Sequence, residues 1–478
     1  MAWVVVKPPA SICGIFRNSP FGVIGNAGSN TRMTDQSMPS SSYAGRQTSA
    51  GSLPCRAARL AARALALFRD ARWITRRALI FGGLPVAILF AAVLVGSYIS
   101  RAVVGVADPV AHTLGDDFIL FWSGAHLAAQ GRAAAAYDPA TFEAFGEAVT
   151  GPFGAYRIYV YPPLALLLSL PLAVVPFIPG LVSWIVFGAT LFVLLLRRIV
   201  GWGLAALALL AAPCSFLNLL AGQNGYYSAG LLAGGLMLLE RRPIFAGVCF
   251  GCLAYKPQLA VLLPFALAAG GRWRAFAATA ATVAVLLVAS VALFGTAAWL
   301  NFFAHMELQR NLLELFPRFW HRMSSVFVVA RLVGLPIAAA YAAQLCSGVL
   351  AVVAVIALWR SAASIELKRA GLVIATFLAT PHLWDYDQIA LLFAAGWLGV
   401  EGKRSGFLVW ERLSILALIV LPALRTRLGL VHGVPLAPLV LWPMLVALFR
   451  HRRDRGEHRS VLPNSTATVA VAAVPALQ

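Results

Sequence analysis

Long, continuous runs of apolar residues separated by short polar breaks are the feature that most restricts how this chain can fold. The first run, residues 78–103, is long enough to cross a membrane as a helix. Of the 478 residues, 60% are hydrophobic and 12% are charged, whereas a soluble domain carries about 25% charged residues. The runs are not the alternating segments of about ten residues that build a membrane barrel. The pattern therefore predicts an all-α fold, a polytopic transmembrane helical bundle with about 11–13 membrane segments.

The net charge of +20 comes mainly from basic residues that lie between the apolar runs and at the two ends of the chain. This distribution follows the positive-inside rule and predicts that both termini lie in the cytoplasm. It argues against a nucleic-acid partner and for membrane lipids as partners. The end clusters consist of Arg56, Arg59, Arg63, Arg69, Arg72, Arg76 and Arg77 before the first run, and Arg450, Arg452, Arg453, Arg455 and Arg459 after the last.

Composition divides the chain into four parts. A Ser-, Gly- and Pro-rich start is expected to be disordered, and a basic segment after it could form an amphipathic helix on an anionic leaflet. A transmembrane domain and a polar cytoplasmic tail follow. The four parts are residues 1–55, 56–77, 78–449 and 450–478, with outer loops predicted at about 105–160 and 295–325.

The outer loop after the first apolar run carries two adjacent acids, Asp116 and Asp117. Apolar residues recur after them at helical spacing, which predicts a helix lying on the membrane surface, with the acids at its positive N-terminal end. One interpretation is a general base at the edge of the membrane, where partial desolvation raises the pKa and the basicity of a carboxylate. The alternative is a helix cap or a solvated loop acid. The apolar positions are Phe118, Phe121, Trp122, Ala125 and Ala129.

The breaks between later runs alternate in character. GQNGYY (222–227) and YKPQ (255–258) are polar and weakly charged, whereas ERRP (240–243) and GGRWR (270–274) are basic. The first pair is predicted outside and the second pair inside. Residues 161–196 leave the topology open, because two full crossings would place Arg197 and Arg198 on the wrong side. One piece is therefore expected to be partial or re-entrant.

Polar residues in the outer breaks are candidates for substrate binding. Lys256 could contact a phosphate of a lipid-linked donor, or it could be a snorkelling lysine at a helix end. Gln223 and Asn224 could bind sugar hydroxyls or cap helices. Tyr161, in the YPP motif, is grouped with them.

Two further polar groups lie in predicted outer segments. His382, Asp385 and Asp387 follow a late apolar run and could bind sugar or phosphate; their spacing is not a metal signature, and a metal site shared with Asp117 is an open alternative. Basic residues of the outer segments could clamp a phosphate or form surface ion pairs. These are Arg157, Arg310, Arg318, His321 and Arg322.

Several motifs occur in a fixed order: DF-x2-FW from Asp117, YPP from Tyr161, GQNG from Gly222, AYKPQ around Lys256, and RWRAF ending at Phe276. This order resembles glycosyltransferase family 87, integral membrane enzymes of the GT-C class related to polyprenyl-phosphate-mannose-dependent alpha-mannosyltransferases. The resemblance covers residues 117–276, and more loosely the chain to about 400.

The resemblance implies a hexosyltransferase, with mannose as the family default, of the bacterial inner (plasma) membrane. It implies a polyprenyl-phosphate sugar donor, a lipid or glycan acceptor, and inverting transfer on the periplasmic side. The family acid falls on Asp117 and the family lysine on Lys256, while His382 matches only a loose late motif. No nucleotide-binding loop is present, and no cofactor or metal is predicted.

A transporter or flippase for a lipid-linked sugar is the alternative, because broken helices and charges within the membrane suit both functions. A transporter would more often show internal repeats and ionisable residues at mid-membrane. This sequence shows no convincing repeat, and its acids gather in the predicted outer loops. The enzyme is therefore favoured.

Overall fold

The computed structural model describes residue 60 and residues 63–104, 115–150, 158–315, 317–323, 325–432 and 437–461. These residues form helices and no strand, with one isolated backbone bridge between Met323 and Trp384. The predicted disordered segment 1–55 lies outside the described residues. The α-helices are α1 (63–70), α2 (Arg76–Val104), α3 (Phe118–Ala129), α4 (Pro139–Thr150), α5 (Pro163–Ser169), α6 (Phe177–Val200), α7 (Trp202–Ala211), α8 (Pro213–Ala221), α9 (Gly225–Leu238), α10 (Pro243–Cys252), α11 (Pro257–Ala260), α12 (Leu263–Ala269), α13 (Trp273–Ala304), α14 (Met306–Leu315), α15 (Val326–Leu332), α16 (Ile337–Arg360), α17 (Ile365–Ala379), α18 (Ile389–Ser405), α19 (Glu411–His432) and α20 (Ala437–Val461).

The length and composition of the helices confirm an all-α polytopic membrane protein. Within the described residues, four helical stretches are long and apolar enough to cross a membrane, and the bent pair α7–α8 makes a fifth if it counts as one span. Shorter apolar helices of 10–17 residues lie between them. The predicted count of 11–13 segments stays a prediction, because it depends on how many of the short helices enter the membrane. The four stretches are Arg76–Ser100, Phe177–Val200, Trp273–Leu315 and Ile337–Arg360.

The structure shows which part of residues 161–196 is long enough to span a membrane. Pro163–Val174 is a short helical piece that passes from α-helix to 3-10 helix at Leu170. Pro176 then precedes α6, a single helix of 24 residues that carries Arg197 and Arg198 in its last turn. Only α6 in this stretch has the length of a full span, and a partial or re-entrant crossing by the shorter helical piece stays a prediction.

Glycines bring α6 and α9 side by side in the same direction. A Cβ added to Gly188 would lie 3.1 Å from Tyr227, one added to Gly230 2.8 Å from Leu191, and one added to Gly234 3.6 Å from Leu195. The contacts advance together along both helices, so the helices run parallel. Gly230 and Gly234 have the GxxxG spacing, in which small residues let two helices approach closely.

The other GxxxG spacing serves the contact between α10 and α13. A Cβ on Gly247 would lie 2.5 Å from the Cβ of Ala278, and one on Gly251 would lie against Thr282. Neither glycine can carry a side chain without separating the helices. Cys249 and Cys252 are half-buried free thiols on the same helix.

The polar breaks gather at one end of the bundle and the basic breaks at the other. Arg272 pairs with Glu240 at 2.5 Å, which joins the two basic breaks predicted to share a side. The hydroxyls of Ser228 and Tyr255 lie 2.7 Å apart, which joins the two polar breaks. The predicted grouping is therefore present, while the side that faces the cytoplasm stays a prediction.

Helix α3 differs from its prediction. It was expected to lie on the membrane surface with one apolar face, yet nearly all its residues are buried. Its sequence is apolar all round, and a helix of that kind is stable only when protein or lipid covers every face. The one-sided helix of this segment is α4, which buries Phe142 and Gly146 and exposes Ala140 and Ala144.

The second predicted outer loop, 295–325, is largely helical. Helix α13 continues to Ala304 across a kink at Gly295, where φ is +75°. Arg310 pairs with Glu307 and Glu314 along α14, and its side chain is mostly exposed. For this arginine the surface-pair interpretation is correct.

Candidate active site

Five chain breaks meet at the polar end of the bundle. They are the start of α3, the turn between α8 and α9, the turn before α11, the 3-10 helix Pro317–Arg322, and the segment between α17 and α18. The backbone N–H of Asp117 donates to the carbonyl of Ala221 at 3.0 Å, which fixes the first break against the second. The bridge between Met323 and Trp384 fixes the fourth against the fifth. Charged residues distant in sequence are thereby brought into one buried cluster.

Lys256 and Asp387 form a buried ion pair. The lysine ammonium donates to Oδ1 of Asp387 at 2.6 Å, and the two side chains are 2% and 0% exposed. The ammonium also lies 4.7 Å from the ring centre of Tyr386 and 5.9 Å from that of Tyr161. A snorkelling lysine keeps its head in water, so that interpretation is wrong for Lys256.

Arg322 and Asp385 form a second pair beside the first. The guanidinium donates through Nε at 2.9 Å and through Nη2 at 3.1 Å to the two carboxylate oxygens. This two-point geometry is the strong form of a carboxylate contact. Two of the arginine's five N–H groups donate to Asp385. Within the described residues the others make no further hydrogen bond, so they can donate to a second anion.

Asn218 holds the late acidic segment in place. Its amide donates to the carbonyls of Cys214 at 2.8 Å and Tyr386 at 2.9 Å, and its Oδ1 accepts from the N–H of Gly225 at 2.9 Å. One buried side chain thus joins α8, the start of α9 and the 3-10 helix Asp385–Gln388. The positions of Asp385 and Asp387 therefore depend on Asn218 through its bond to the carbonyl of Tyr386, the residue between them.

Asp117 is buried at the N-terminus of α3. It is 2% exposed, and its side chain makes no capping hydrogen bond. The alternative interpretations of Asp117, a solvated loop acid and a helix cap, are therefore wrong. Burial raises the pKa of the Asp117 carboxyl above its ordinary value, while Arg322 and a hydrogen bond from Gln223 act in the opposite direction. Arg322 and Lys256 are close enough to Asp117 to interact with it electrostatically. A buried carboxyl with a raised pKa beside two cations has the properties of a general base.

The amide pair next to Asp117 is also buried. Gln223 accepts from the backbone N–H of Asn224 at 3.2 Å, which leaves its amide group for Asp117. The two polar side-chain atoms of Asn224, Nδ2 and Oδ1, are buried and have no hydrogen-bond partner within the described part of the chain. Buried amides are normally satisfied, so Asn224 has the bonding capacity for a polar ligand.

Of the remaining predicted site residues, some lie in the buried cluster and others fall outside the described residues. Tyr161 belongs to the cluster through its hydrogen bond with Tyr386. Asp116 is buried beside Asp117. Burial, with Lys256 as the second cause, lowers the pKa of His382 to about 4, so this imidazole is neutral at pH 7. Arg157 lies outside the described residues, as do the side chains of Arg318 and His321.

Sequence reasoning left three participants unassigned. Asp387 was noted with the late acids, and Arg322 with the outer arginines, but neither was given a partner. Asn218 looked like an ordinary residue of an apolar run. The available signal for Asp387 was its place in a short polar break, TPHLWDYDQ (380–388), between two apolar runs. Nothing in the sequence indicated Asn218.

The described residues contain no group of three His, Cys, Asp or Glu side chains arranged to hold a metal ion. The site chemistry they offer is that of carboxylates, cations and amides. A buried base with two fixed cations suits a group-transfer reaction in which the leaving group is an anion.

The comparison with protein-family models agrees with this chemistry. The model described as Glycosyltransferase family 87 matches residues 159–381. The match over these residues supports membership of glycosyltransferase family 87. The family assignment supports a membrane glycosyltransferase that takes a sugar donor and an acceptor.

The family 87 match includes some residues of the candidate site and leaves others outside it. Lys256, Gln223 and Arg322 lie within it, whereas Asp117 precedes it and Asp387 follows it. The structure shows that these outlying acids contact the matched segment. No curated protein and no solved structure matched the chain.

Proposed function

We propose that this protein transfers a hexose, with mannose as the first candidate, from a polyprenyl-phosphate sugar to a lipid or glycan acceptor. Asp117 is the general base of this reaction. The observation that supports it best is the burial of Asp117 within reach of Arg322 and Lys256. The proposed location is the outer face of a bacterial inner membrane, with both termini in the cytoplasm.

The two cations suit the departing phosphate. Each is already held by one carboxylate, which fixes its position and balances its charge before substrate arrives. An ammonium has three N–H donors and a guanidinium five, so both can bind a phosphate oxygen while they keep their acids. Cations placed in advance where negative charge develops stabilise the transition state without reorganisation.

The proposed step is a single displacement. The acceptor oxygen forms a bond to the anomeric carbon as the bond from that carbon to the phosphate oxygen breaks. The bonding electrons leave with the polyprenyl phosphate, and the hydroxyl proton moves to the Asp117 carboxylate. Attack opposite the leaving group inverts the anomeric centre. No nucleotide and no covalent enzyme intermediate is needed.

The buried amides supply a place for sugar hydroxyls. Asn224 has both a donor and an acceptor without a partner in the described structure, and Gln223 links it to Asp117. Because the base is 2% exposed, the acceptor reaches it only after neighbouring side chains move. A site that closes in this way also keeps water from competing with the acceptor.

The test is transfer of radiolabelled sugar from synthetic polyprenyl-phosphate mannose and glucose, with membranes that contain the wild type or Asp117→Asn. The amide keeps the shape but cannot accept a proton, so transfer should fall about 10²–10⁴-fold. Asp138→Asn is the matched control: Asp138 is an acid of the same outer segment, but it is exposed and bonded to Thr141.

Full transfer by Asp117→Asn would rule out Asp117 as the base and direct attention to Asp116 and Asp385. Wild-type membranes that transfer neither sugar, although the protein is present, would contradict the enzyme. A flipping assay with the same lipids would then test the transporter.

A further inference from the structure

A groove of about 1070 Å³ lies at the basic end of the bundle, far from the proposed active site. The part of α6 near Gly115 and α3 is at Leu181, whereas the groove is lined by α6 from Leu191 to Ile199. At 1.5 Å per residue, Leu181 and Arg197 are separated by about 24 Å along the helix axis. The groove is therefore a separate feature at the other end of the membrane-spanning region.

The walls of the groove change from apolar to basic along its length. On α6 the lining leucines precede Arg197 and Arg198, and on α9 Met237 and Leu238 precede the lining arginines of the next turn. Because α6 and α9 run parallel, their apolar parts lie together and their basic parts lie together. A ligand that matches both parts has an apolar chain and an anionic head.

Five arginines line the groove: Arg197, Arg198, Arg241, Arg242 and Arg369. Within the described part of the chain, none of them forms an ion pair. The two lining acids are directed to arginines outside the lining, Glu240 to Arg272 at 2.5 Å and Glu366 to Arg404 at 4.0 Å. Both acids also act electrostatically on Arg369, yet five arginines against two acids leave the lining of the groove with a net positive charge.

Two of these arginines have buried donors with no partner. The Nε atoms of Arg197 and Arg369 are buried and lack a hydrogen bond within the described residues. Arg197 stacks 4.3 Å above the ring of Trp202, and Arg369 lies 6.0 Å from that of Trp397. The aromatic contacts orient the guanidinium groups, and unpaired buried donors are unusual unless a ligand satisfies them.

We infer that this groove binds an anionic phospholipid of the adjoining leaflet, with its phosphate among the arginines and an acyl chain along Leu191, Leu195 and Met237. Arginine suits phosphate because it donates through a planar fork. A soluble anion or a nucleic acid fits the groove less well, because neither has an apolar chain to cover the lining leucines and Met237. By contacting α6, α9, α17 and α18 together, the lipid would stabilise the bundle at the end opposite the active site.

The test uses the full chain purified in a neutral detergent, stripped of lipid and titrated with phosphatidylglycerol or phosphatidylcholine. Bound lipid is counted by native mass spectrometry, and the melting temperature is followed in parallel. The wild type should bind phosphatidylglycerol at least about tenfold more tightly than phosphatidylcholine, because the choline cation offsets the phosphate charge of phosphatidylcholine and is repelled by the arginines. Neither readout depends on transfer activity.

The charge test is the double variant Arg241→Gln/Arg242→Gln. Both side chains are exposed, so their replacement should preserve the fold while it lowers affinity for phosphatidylglycerol about tenfold or more. The control, Arg274→Gln/Arg360→Gln, removes the same charge from two exposed arginines that do not line the groove. Equal losses of phosphatidylglycerol affinity in the two variants would show that the lipid is attracted by the overall surface charge, which would contradict a binding site in the groove.

The shape test keeps the charge constant. Leu194→Trp places a large ring in the groove from a position that is 41% exposed, while Val186→Trp introduces the same ring at an exposed position on the same helix outside the groove. Only the first should weaken lipid binding. Wild-type protein that binds both lipids equally, or that free glycerol phosphate stabilises as strongly as phosphatidylglycerol does, would overturn the inference.

Discussion

The ammonium of Lys256 lies 2.6 Å from a carboxylate oxygen of Asp387, a residue 131 positions later in the chain, and both side chains are buried. Two charges in this environment are costly to separate, because the partner that remains has neither water nor a counter-ion. The pair therefore joins two distant breaks and fixes a cation in the site.

A double-mutant cycle tests this relationship. Lys256→Met and Asp387→Leu should each destabilise the protein by about 3–5 kcal/mol, whereas the double variant should recover most of that loss. Thermal unfolding in detergent measures the effect. Glu240→Gln, which breaks the half-exposed pair with Arg272, serves as the control and should cost at most about 1 kcal/mol. Additive losses in the double variant would contradict the coupling.

Arg322→Lys tests the two-point contact with Asp385. Lysine keeps the charge but cannot reproduce the planar fork, so one charge-assisted hydrogen bond is lost. Transfer, as kcat/KM, should fall about 10- to 100-fold. Arg310→Lys makes the same change in an exposed pair and should leave transfer unchanged. Similar losses in both variants would mean that the geometry at Arg322 has no special role.

Gly225→Ala tests how closely α9 approaches the acidic segment. An added Cβ would lie 2.6 Å from the carbonyl oxygen of Tyr386 and would overlap Asn218. The strain should cost about 1–3 kcal/mol and reduce transfer, because it displaces Asp385 and Asp387. Gly399→Ala, where an added Cβ meets nothing within 4 Å, should be neutral or stabilising by up to about 1 kcal/mol. Unchanged transfer by Gly225→Ala would show that the segment tolerates displacement.

The pH dependence of transfer tests the base. Burial raises the pKa of Asp117 above 3.8, and the base must be ionised to accept a proton. Activity should therefore fall as the pH decreases through a value above that of an ordinary aspartate. Because the pKa of His382 is lowered to about 4, this imidazole does not titrate near neutrality.

The matched measurement is the same profile for His382→Gln, with initial rates taken from about pH 4.5 to pH 8. The acidic limb should persist in this variant if Asp117 is the base. Loss of the limb in His382→Gln would assign it to the histidine instead.

The sequence predicted much of the fold and part of the site. Continuous apolar runs predict membrane helices because no other arrangement satisfies the backbone in lipid, and the motifs containing Lys256 and Gln223 identified two of the breaks that meet. The prediction for α3 failed because the spacing of its larger apolar residues suggested one apolar face, while its small residues are buried as well. Spacing alone cannot show how many sides of a helix the rest of the protein covers.

The sequence by itself determined that the chain is a helical membrane protein, that its polar and basic breaks form two groups, and that Asp117 and Lys256 are candidates for chemistry. Only the tertiary structure decided the partners: Asp387 for Lys256, Asp385 for Arg322, and Asn218 as the residue that positions the acidic segment. The spacing of apolar residues in the sequence indicates which faces of a helix are apolar. Pairing between charges that are distant in sequence depends on how the helices pack, and each buried charge is stable only where that packing supplies its counter-ion.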